Sequence, residues 1–267
     1  MQNDLGKNPF RSSASYYARY RPAYGDDLIS HIVALCKTSP EITYDLGCGT
    51  GELAIPLSRI VKNVYAIDRE ATMLVEAQRK ASENGITNIT FIEGSAENVP
   101  LELPAPQLVT LGQCFHWMDR EKVLRYLCSR MSSGGVVVII SGDPLGTVFR
   151  DMTALTCPNW IRVLSTLFEK WCGTPQQLPQ QNYLSHKSVA ASLKEWAIEE
   201  QFYAEKYVRS VEEVIGLCLS FSWCSPEKLG DQLPLFEKDV RTQLLAVQPD
   251  GIFVEETGRD ILILRRK

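Results

Sequence analysis

Short apolar runs separated by amphipathic stretches set the plan of this chain. Glu41–Leu46, Asn63–Asp68, Ile89–Glu93, Leu108–Leu111 and Val136–Ile140 are β-rich runs of strand length. Between them apolar positions recur at helical spacing. Leu28, Ile32, Leu35 and Cys36 do so over Asp27–Lys37, and Leu74, Ala77 and Ala81 over Glu70–Ala81, with Gly85 as a stop. Leu124, Leu127, Cys128 and Met131 share one face over Glu121–Met131, followed by Gly134 and Gly135. This alternation predicts an open, mainly parallel sheet. After Asp143 the pattern changes. Up to about Ala197 no strong strand is expected, and Trp160, Phe168, Trp171, Tyr183 and Trp196, with a proline- and glutamine-rich loop at Thr174–Gln181, point to a helical insertion. Phe202–Val208 and Asp260–Arg265 read as the last two strands, with helices between them.

Composition narrows the partners. The 267 residues carry 28 basic and 32 acidic side chains, a net charge of −4, so no nucleic-acid partner is expected. The opening MQNDLGKNPF lacks the apolar run of a signal peptide, and the longest apolar stretch, Val136–Ile140, is far too short for a bilayer. A cytoplasmic protein with no membrane partner is the expectation. Eight cysteines include no C-x-x-C pair and read as reduced core thiols. With histidines only at 31, 116 and 186, no metal site is expected.

Four stations at strand ends carry the candidate chemistry. Asp45-Leu46-Gly47-Cys48-Gly49-Thr50-Gly51 closes the first strand, and its glycines permit a tight turn and close approach of a ligand to backbone amides at a helix start. A dinucleotide fingerprint would need glycine at position 52, which is Glu52, so a nicotinamide oxidoreductase is disfavoured. Pro56 is awkward in the helix that follows. Asp68 ends the second strand seventeen residues after Gly51, the distance at which a carboxylate reaches the hydroxyls of a ribose and repels a 2′-phosphate. At Gly94-Ser95-Ala96-Glu97 a small polar and a small apolar residue suit an adenine edge and face, while a plain turn with Ser95 as helix cap is the competing reading. Gln113-Cys114-Phe115-His116-Trp117 follows the fourth strand, where ligands of such sheets bind. There His116 is either a general base or a hydrogen bonder that locks the loop, and Trp117 either walls a pocket or packs. His31, at the edge of an apolar helix face, and His186, in a polar loop, have structural readings only.

Together these stations resemble the class I S-adenosylmethionine-dependent methyltransferases, and most closely their type 11 small-molecule branch, similar to trans-aconitate methyltransferase and to ubiquinone-biosynthesis enzymes. Tyr17-Ala18-Arg19-Tyr20-Arg21-Pro22-Ala23-Tyr24 looks like that branch's Y-x-x-x-R-P-x-Y segment, and Gln113 to Trp117 like its Q-x-F-H-W motif. The likeness covers about residues 14–141 and is architectural beyond them. It implies an α/β, Rossmann-like, seven-stranded, mainly parallel sheet with a reversed last strand, an N-terminal helical cap and a helical insertion before the last two strands. On this reading one methyltransferase domain spans 1–267, with cap and first helix at 1–40, cofactor-binding core at 41–142, lid or acceptor pocket at 143–200, and closing strands and helices at 201–267. The resemblance implies S-adenosyl-L-methionine as cofactor. Asp45, Gly47 and Gly49 would border its methionine part, Asp68 with neighbouring Arg69 its ribose, and Met73 its adenine. Ala96 and Glu97 would stand near the adenine amino group, Gln113 near the sulfonium, and Tyr20 and Arg21 in a cap closing over it. Ser95 departs from the aspartate of many relatives, and Gly25 from a proline.

The expected reaction is in-line methyl transfer to a small-molecule acceptor. A carboxylate acceptor requires no base, whereas a phenol, amine or carbon acceptor makes use of His116. The aromatic residues after Asp143 suit a hydrophobic pocket, with Phe221-Ser222-Trp223 as a candidate lining, although ordinary core packing is the commoner explanation of their helical spacing. A macromolecule methyltransferase and a catalytically silent cofactor-binding subunit are the alternatives, and monomer and homodimer are both open.

Overall fold

The computed structural model describes residues 13–142, 145, 157–173 and 184–267. The Thr174–Gln181 loop, Tyr183 and Asp143 lie outside the described residues. Five parallel strands run in the order expected of alternating strands and helices: β1 (Ile42–Leu46), β2 (Asn63–Asp68), β3 (Ile89–Glu93), β4 (Leu108–Gly112) and β5 (Val136–Ser141). β6 (Trp196–Ser210) and β7 (Ile252–Arg266) complete a seven-stranded sheet of order β3-β2-β1-β4-β5-β7-β6, and β7 pairs antiparallel to β5. The α/β fold is therefore the one the sequence pattern predicts, and the reversed last strand the one the family resemblance implies.

The chain divides into two compact units. One comprises Ala23–Ser141, Asn182–Tyr203 and Arg259–Lys267. It holds the five parallel strands and, on either face of them, α2 (Asp26–Ala34), α3 (Ala54–Ser58), α4 (Ala71–Glu83), α5 (Arg120–Arg130) and, from beyond residue 159, the helix His186–Ser192. Strand alternation sorts its apolar residues. Tyr44, Leu46, Val109, Leu111, Val137 and Ile139 face Val123, Leu124 and Leu127 of α5. Val64, Ala66, Leu108, Val136, Val138 and Ile140 face Leu28 and Ile32 of α2 and Leu57 of α3. A parallel sheet covered on both faces in this way reads as nearly continuous apolar runs, which is why these strands are legible in the sequence.

The other unit comprises Met1–Pro22, Gly142–Gln181 and Ala204–Gly258. Its described helices are α1 (Ala14–Tyr20), α6 (Asn159–Cys172), then, after His186–Ser192 (α7), α8 (Val211–Leu219), α9 (Pro226–Leu229) and α10 (Leu233–Val247). Their core gathers Trp160, Leu164, Phe168, Val214, Leu217, Phe236, Val240 and Phe253. Trp160 and Phe168 are thus core residues, as is Trp196 beneath the sheet of the first unit. The helical stretch expected over 143–200 is divided, α6 falling in one unit and α7 in the other. Strand β6 starts at Trp196, earlier than its polar sequence suggests.

Among the described residues no helix is long and apolar enough to cross a membrane.

Candidate functional site

Within the first unit, parallel pairing brings the carboxyl ends of β1, β2, β3 and β4 side by side, and four loops leave from there. Gly47 N–H and Cys48 N–H both donate to Ile67 O, at 2.7 and 3.1 Å, which folds the β1 loop over the end of β2. Gly47, Gly49 and Gly51 have φ of 67°, 55° and 87°, a backbone region that side chains disfavour. At Gly47 there is a second requirement: a Cβ would stand 2.7 Å from Cys114 Cβ and 2.8 Å from its Sγ. The missing side chain therefore admits the β4 loop, whose Cys114 Sγ donates to Leu46 O at 3.0 Å.

Two carboxylates anchor this junction. Asp68 Oδ2 accepts from Gly49 N–H at 2.8 Å and Oδ1 from Glu70 N–H at 2.9 Å. Burial pushes the Asp68 carboxyl up, against these two backbone donors. Asp45 is 1% exposed, and its Oδ1 accepts from Thr110 Oγ1 at 2.8 Å. Its Oδ2 is buried without a hydrogen-bond partner among the described residues. Burial pushes the Asp45 carboxyl up to about 7, the Thr110 hydrogen bond opposing the rise and Glu52 and Asp68 adding to it. Glu52, the residue that breaks the dinucleotide fingerprint, braces the loop against α4. It accepts from Thr50 Oγ1 and, at 2.9 Å, from Lys80 Nζ of that helix. Pro56 causes no kink, because α3 starts at Ala54 and the proline sits in its first turn, where no amide partner is lost.

At the end of β3, Ser95 caps the short 3₁₀ turn Ala96–Asn98. Its hydroxyl accepts from Glu97 N–H at 3.3 Å and donates to Glu97 Oε2 at 2.7 Å, and Glu97 Oε1 accepts from Asp119 N–H at 2.8 Å. Burial pushes the Glu97 carboxyl up, but these hydrogen bonds outweigh it and hold the group below its ordinary range. After β4, Gln113 has φ 55°, a left-handed conformation uncommon outside glycine and most often kept where a site requires it. A 3₁₀ turn over Phe115–Trp117 follows, with Phe115 buried and Trp117 42% exposed, so Trp117 is not core packing. Met73 is buried in α4, and the Arg69 guanidinium lies 3.7 Å from Glu70.

Comparison with known proteins agrees with this geometry. Residues 44–135 match the family model described as a methyltransferase domain. A probable S-adenosylmethionine-dependent methyltransferase of Saccharomyces cerevisiae is 29% identical over 133 residues, 49% of this chain and 45% of that protein. An uncharacterised RNA methyltransferase of Clostridium acetobutylicum is 28% identical over 161 residues, 58% of this chain and 34% of that one. The chain thus spans less than half the length of either relative. A solved structure from Anaeromyxobacter dehalogenans, designated a type II methyltransferase, shares the fold with a TM-score of 0.63 at 16% identity, over 92% of this chain and 98% of that one. Residues 44–135 match a methyltransferase domain, for which the name of the yeast relative indicates S-adenosylmethionine as cofactor. This stretch holds every strand-end station described above.

The residues of this domain suit that cofactor. Asp45 Oδ2 is a buried acceptor still to be satisfied, and S-adenosylmethionine brings a positively charged amino group and sulfonium. Asp68 keeps further lone pairs after its two backbone bonds, available to ribose hydroxyls.

The Y-x-x-x-R-P-x-Y segment is divided between the two units at Pro22. Tyr24 stays with the first unit. Its ring lies under the Arg259 guanidinium at 4.2 Å, and its hydroxyl would be 2.5 Å from a Cβ on Gly112, at the end of β4. Tyr20 and Arg21 belong to the other unit. There Tyr20 lies on Gly216, while Arg21 Nε donates to Ser220 Oγ at 2.9 Å and its guanidinium stacks on Phe221 at 4.4 Å and Tyr17 at 5.0 Å. Phe221 is itself buried, 6.1 Å from Phe168 and 5.1 Å from Trp223 between ring centres.

His186 is the residue that sequence reasoning missed. It opens helix α7 instead of lying in a polar loop, its ring 5.1 Å from Phe115 and stacked 6.4 Å from His116. Burial, then the positive charge of Arg120 and the neighbouring His116, push it down to about 4, so it is neutral at physiological pH. The roughly seventy residues separating His116 from His186 leave no local signal of this contact. His31, by contrast, bonds Gln201 at 2.6 Å, as a structural histidine does.

Proposed function

We propose that this chain transfers the methyl group of S-adenosylmethionine to a small-molecule acceptor by in-line displacement. The observation that carries the reading is the pair Asp45 and Asp68 at adjacent strand ends, one with a buried oxygen awaiting a partner and the other holding the glycine loop by Gly49 N–H. When bound, the cofactor supplies an already activated methyl group, so the protein's contribution is alignment and exclusion of water. Asp45 meets the positive methionine end, Asp68 accepts from the ribose, and the Ser95–Glu97 turn with Met73 borders the adenine. Gln113, held left-handed, fixes the loop on which His116 stands. His116, stacked on a neutral His186, takes the proton of a phenol or amine acceptor or, for a carboxylate, only walls the site.

The net charge of −4 supports a small acceptor over a polyanion. A cytoplasmic setting belongs to the same reading and suits eight cysteines that are all free thiols. The likeness to an RNA methyltransferase favours a second reading, with RNA as acceptor.

Calorimetric titration tests the cofactor. S-adenosylmethionine is expected to bind in the micromolar range, NAD not at all, and Asp68→Ala to weaken binding at least tenfold. Equal binding by the variant would remove the basis of the proposal. Methyl-labelled cofactor incubated with a cell extract then separates the acceptors: label in the low-mass fraction supports the small-molecule reading, and nuclease-sensitive label in RNA replaces it with the second.

A further inference from the structure

The second unit contains a close pair of thiols that methyl transfer does not use. Cys172 is the last residue of α6 and half-buried, and Cys224 lies in the buried turn after α8. Their sulfur atoms are 2.7 Å apart although 52 positions separate them in sequence. That is closer than two sulfurs stand without some bonding interaction, and a small movement short of the ~2.05 Å of a disulfide. The surroundings fix both partners. Trp171, next to Cys172, packs against Phe236, and Trp223, next to Cys224, packs against Phe168 and Phe221. Among the described residues no group of three or more His, Cys, Asp or Glu is placed to hold a metal ion.

We propose that Cys172 and Cys224 form a reversible disulfide, a redox-sensitive clasp between the end of α6 and the turn that seats Arg21. The attacking group is Cys172, the accessible one. The hydrogen bond it shares with Cys224 holds its thiol below the ordinary range, against burial and with help from Lys228. The Cys224 thiol is raised by its hydrogen bond to Cys172 and by burial, so it stays protonated until called on.

With a small disulfide such as oxidised glutathione as the oxidant, the Cys172 thiolate attacks one sulfur and expels one glutathione thiolate. Cys224 then loses its proton to solvent and attacks Cys172 Sγ, expelling the second. Two protein thiols are oxidised, one disulfide is reduced to two thiols, and the protons pass to glutathione. The bond joins α6 to the 220–224 turn. Ser220 and Phe221 of that turn hold the Arg21 side chain, so oxidation stiffens the seat of α1.

The test is to incubate the folded full-length chain with oxidised glutathione, quench in acid, and measure intact mass, free thiols and linked peptides. The expected result is loss of two hydrogens with no glutathione retained, a fall from eight titratable thiols to six, and one linked peptide joining Cys172 to Cys224. Reduced glutathione should reverse it. Cys172→Ala, at the half-buried helix end where folding is least at risk, should keep seven thiols and form no internal link. Cys224→Ala should instead trap glutathione on Cys172. A wild-type chain that keeps eight thiols, retains glutathione on Cys172, or links either residue to Cys218 would overturn the proposal.

Discussion

At the residue scale the telling group is Asp45, an acid whose folded environment holds its proton. Its carboxyl stands at about 7 in the folded chain, chiefly through burial, whereas an unfolded aspartate ionises near its ordinary ~3.9. Between those values the folded state binds a proton that the unfolded state has released. Stability from this group is thus greatest at low pH, declines as pH rises toward 7, and levels above it, with a slope of up to about 1.4 kcal/mol per unit. Asp45→Asn, neutral throughout, should flatten that part of the profile. Urea denaturation of both proteins at pH 5, 6 and 7 measures it, and parallel profiles would show that Asp45 is not the source. The same physics predicts that uptake of a positively charged cofactor near pH 6.5 ionises Asp45 and releases a proton. Calorimetry in two buffers of different ionisation heat should give different binding heats for the native chain and equal ones for Asp45→Asn.

At the scale of elements, the close approach of α1 to α8 depends on one missing side chain. A Cβ on Gly216 would lie 2.3 to 2.5 Å from three ring atoms of Tyr20, including Cγ, so the ring could escape only by moving α1 with it. Gly216→Ala gains about 0.8–1 kcal/mol of helix propensity. The overlap costs about 1–3 kcal/mol, and because the ring cannot turn away, the overlap wins. A net loss of up to about 2 kcal/mol in urea denaturation is expected, and Tyr20→Ala in the same chain should restore much of it. Independent, additive effects would contradict the contact.

Such contacts also mark where the sequence stops being legible. Strands β1, β2, β4 and β5 stand out because both faces are largely buried, β3, at the sheet edge and only partly buried, because of its Ile89, Phe91 and Ile92, and the glycine loop, Asp68 and the Ser95 turn because their logic is local. In β6 only Phe202–Val208 is recognisable, since its alternation of glutamate, lysine and tyrosine suits a half-exposed strand and resembles a polar loop. β7 is recognisable only from Asp260, because buried Glu255 and Arg259 and the interrupting Gly258 disguise its first half. The partners of Arg21 and His116 lie too far along the chain for any pattern to pair them.

At the scale of the whole molecule, each of the two units has its own core, and the second also buries an internal charge pair. Arg209 Nη1 donates to Glu255 Oε2 at 2.5 Å, and the backbone N–H of Leu145 donates to Glu255 Oε1. Both side chains are buried, and Arg209 Nη2 has no hydrogen-bond partner among the described residues. Two charges brought out of water contribute little net stability as a pair, but removing one leaves the other uncompensated, at a cost of about 3–5 kcal/mol. Glu255→Gln should therefore open Ala204–Gly258 to limited proteolysis at temperatures where the native chain resists. Replacing both charges, Arg209→Met with Glu255→Leu, should recover most of the loss, because the isolated charge and not the missing bond is the larger penalty. If the units unfold separately, hydrogen exchange in β1 to β5 of Glu255→Gln stays slow while α8 and α10 exchange quickly. Equal loss of protection in Val136–Ser141 would instead show one cooperative unit. The damage would then reach the cofactor site through stability, although Glu255 belongs to the other unit.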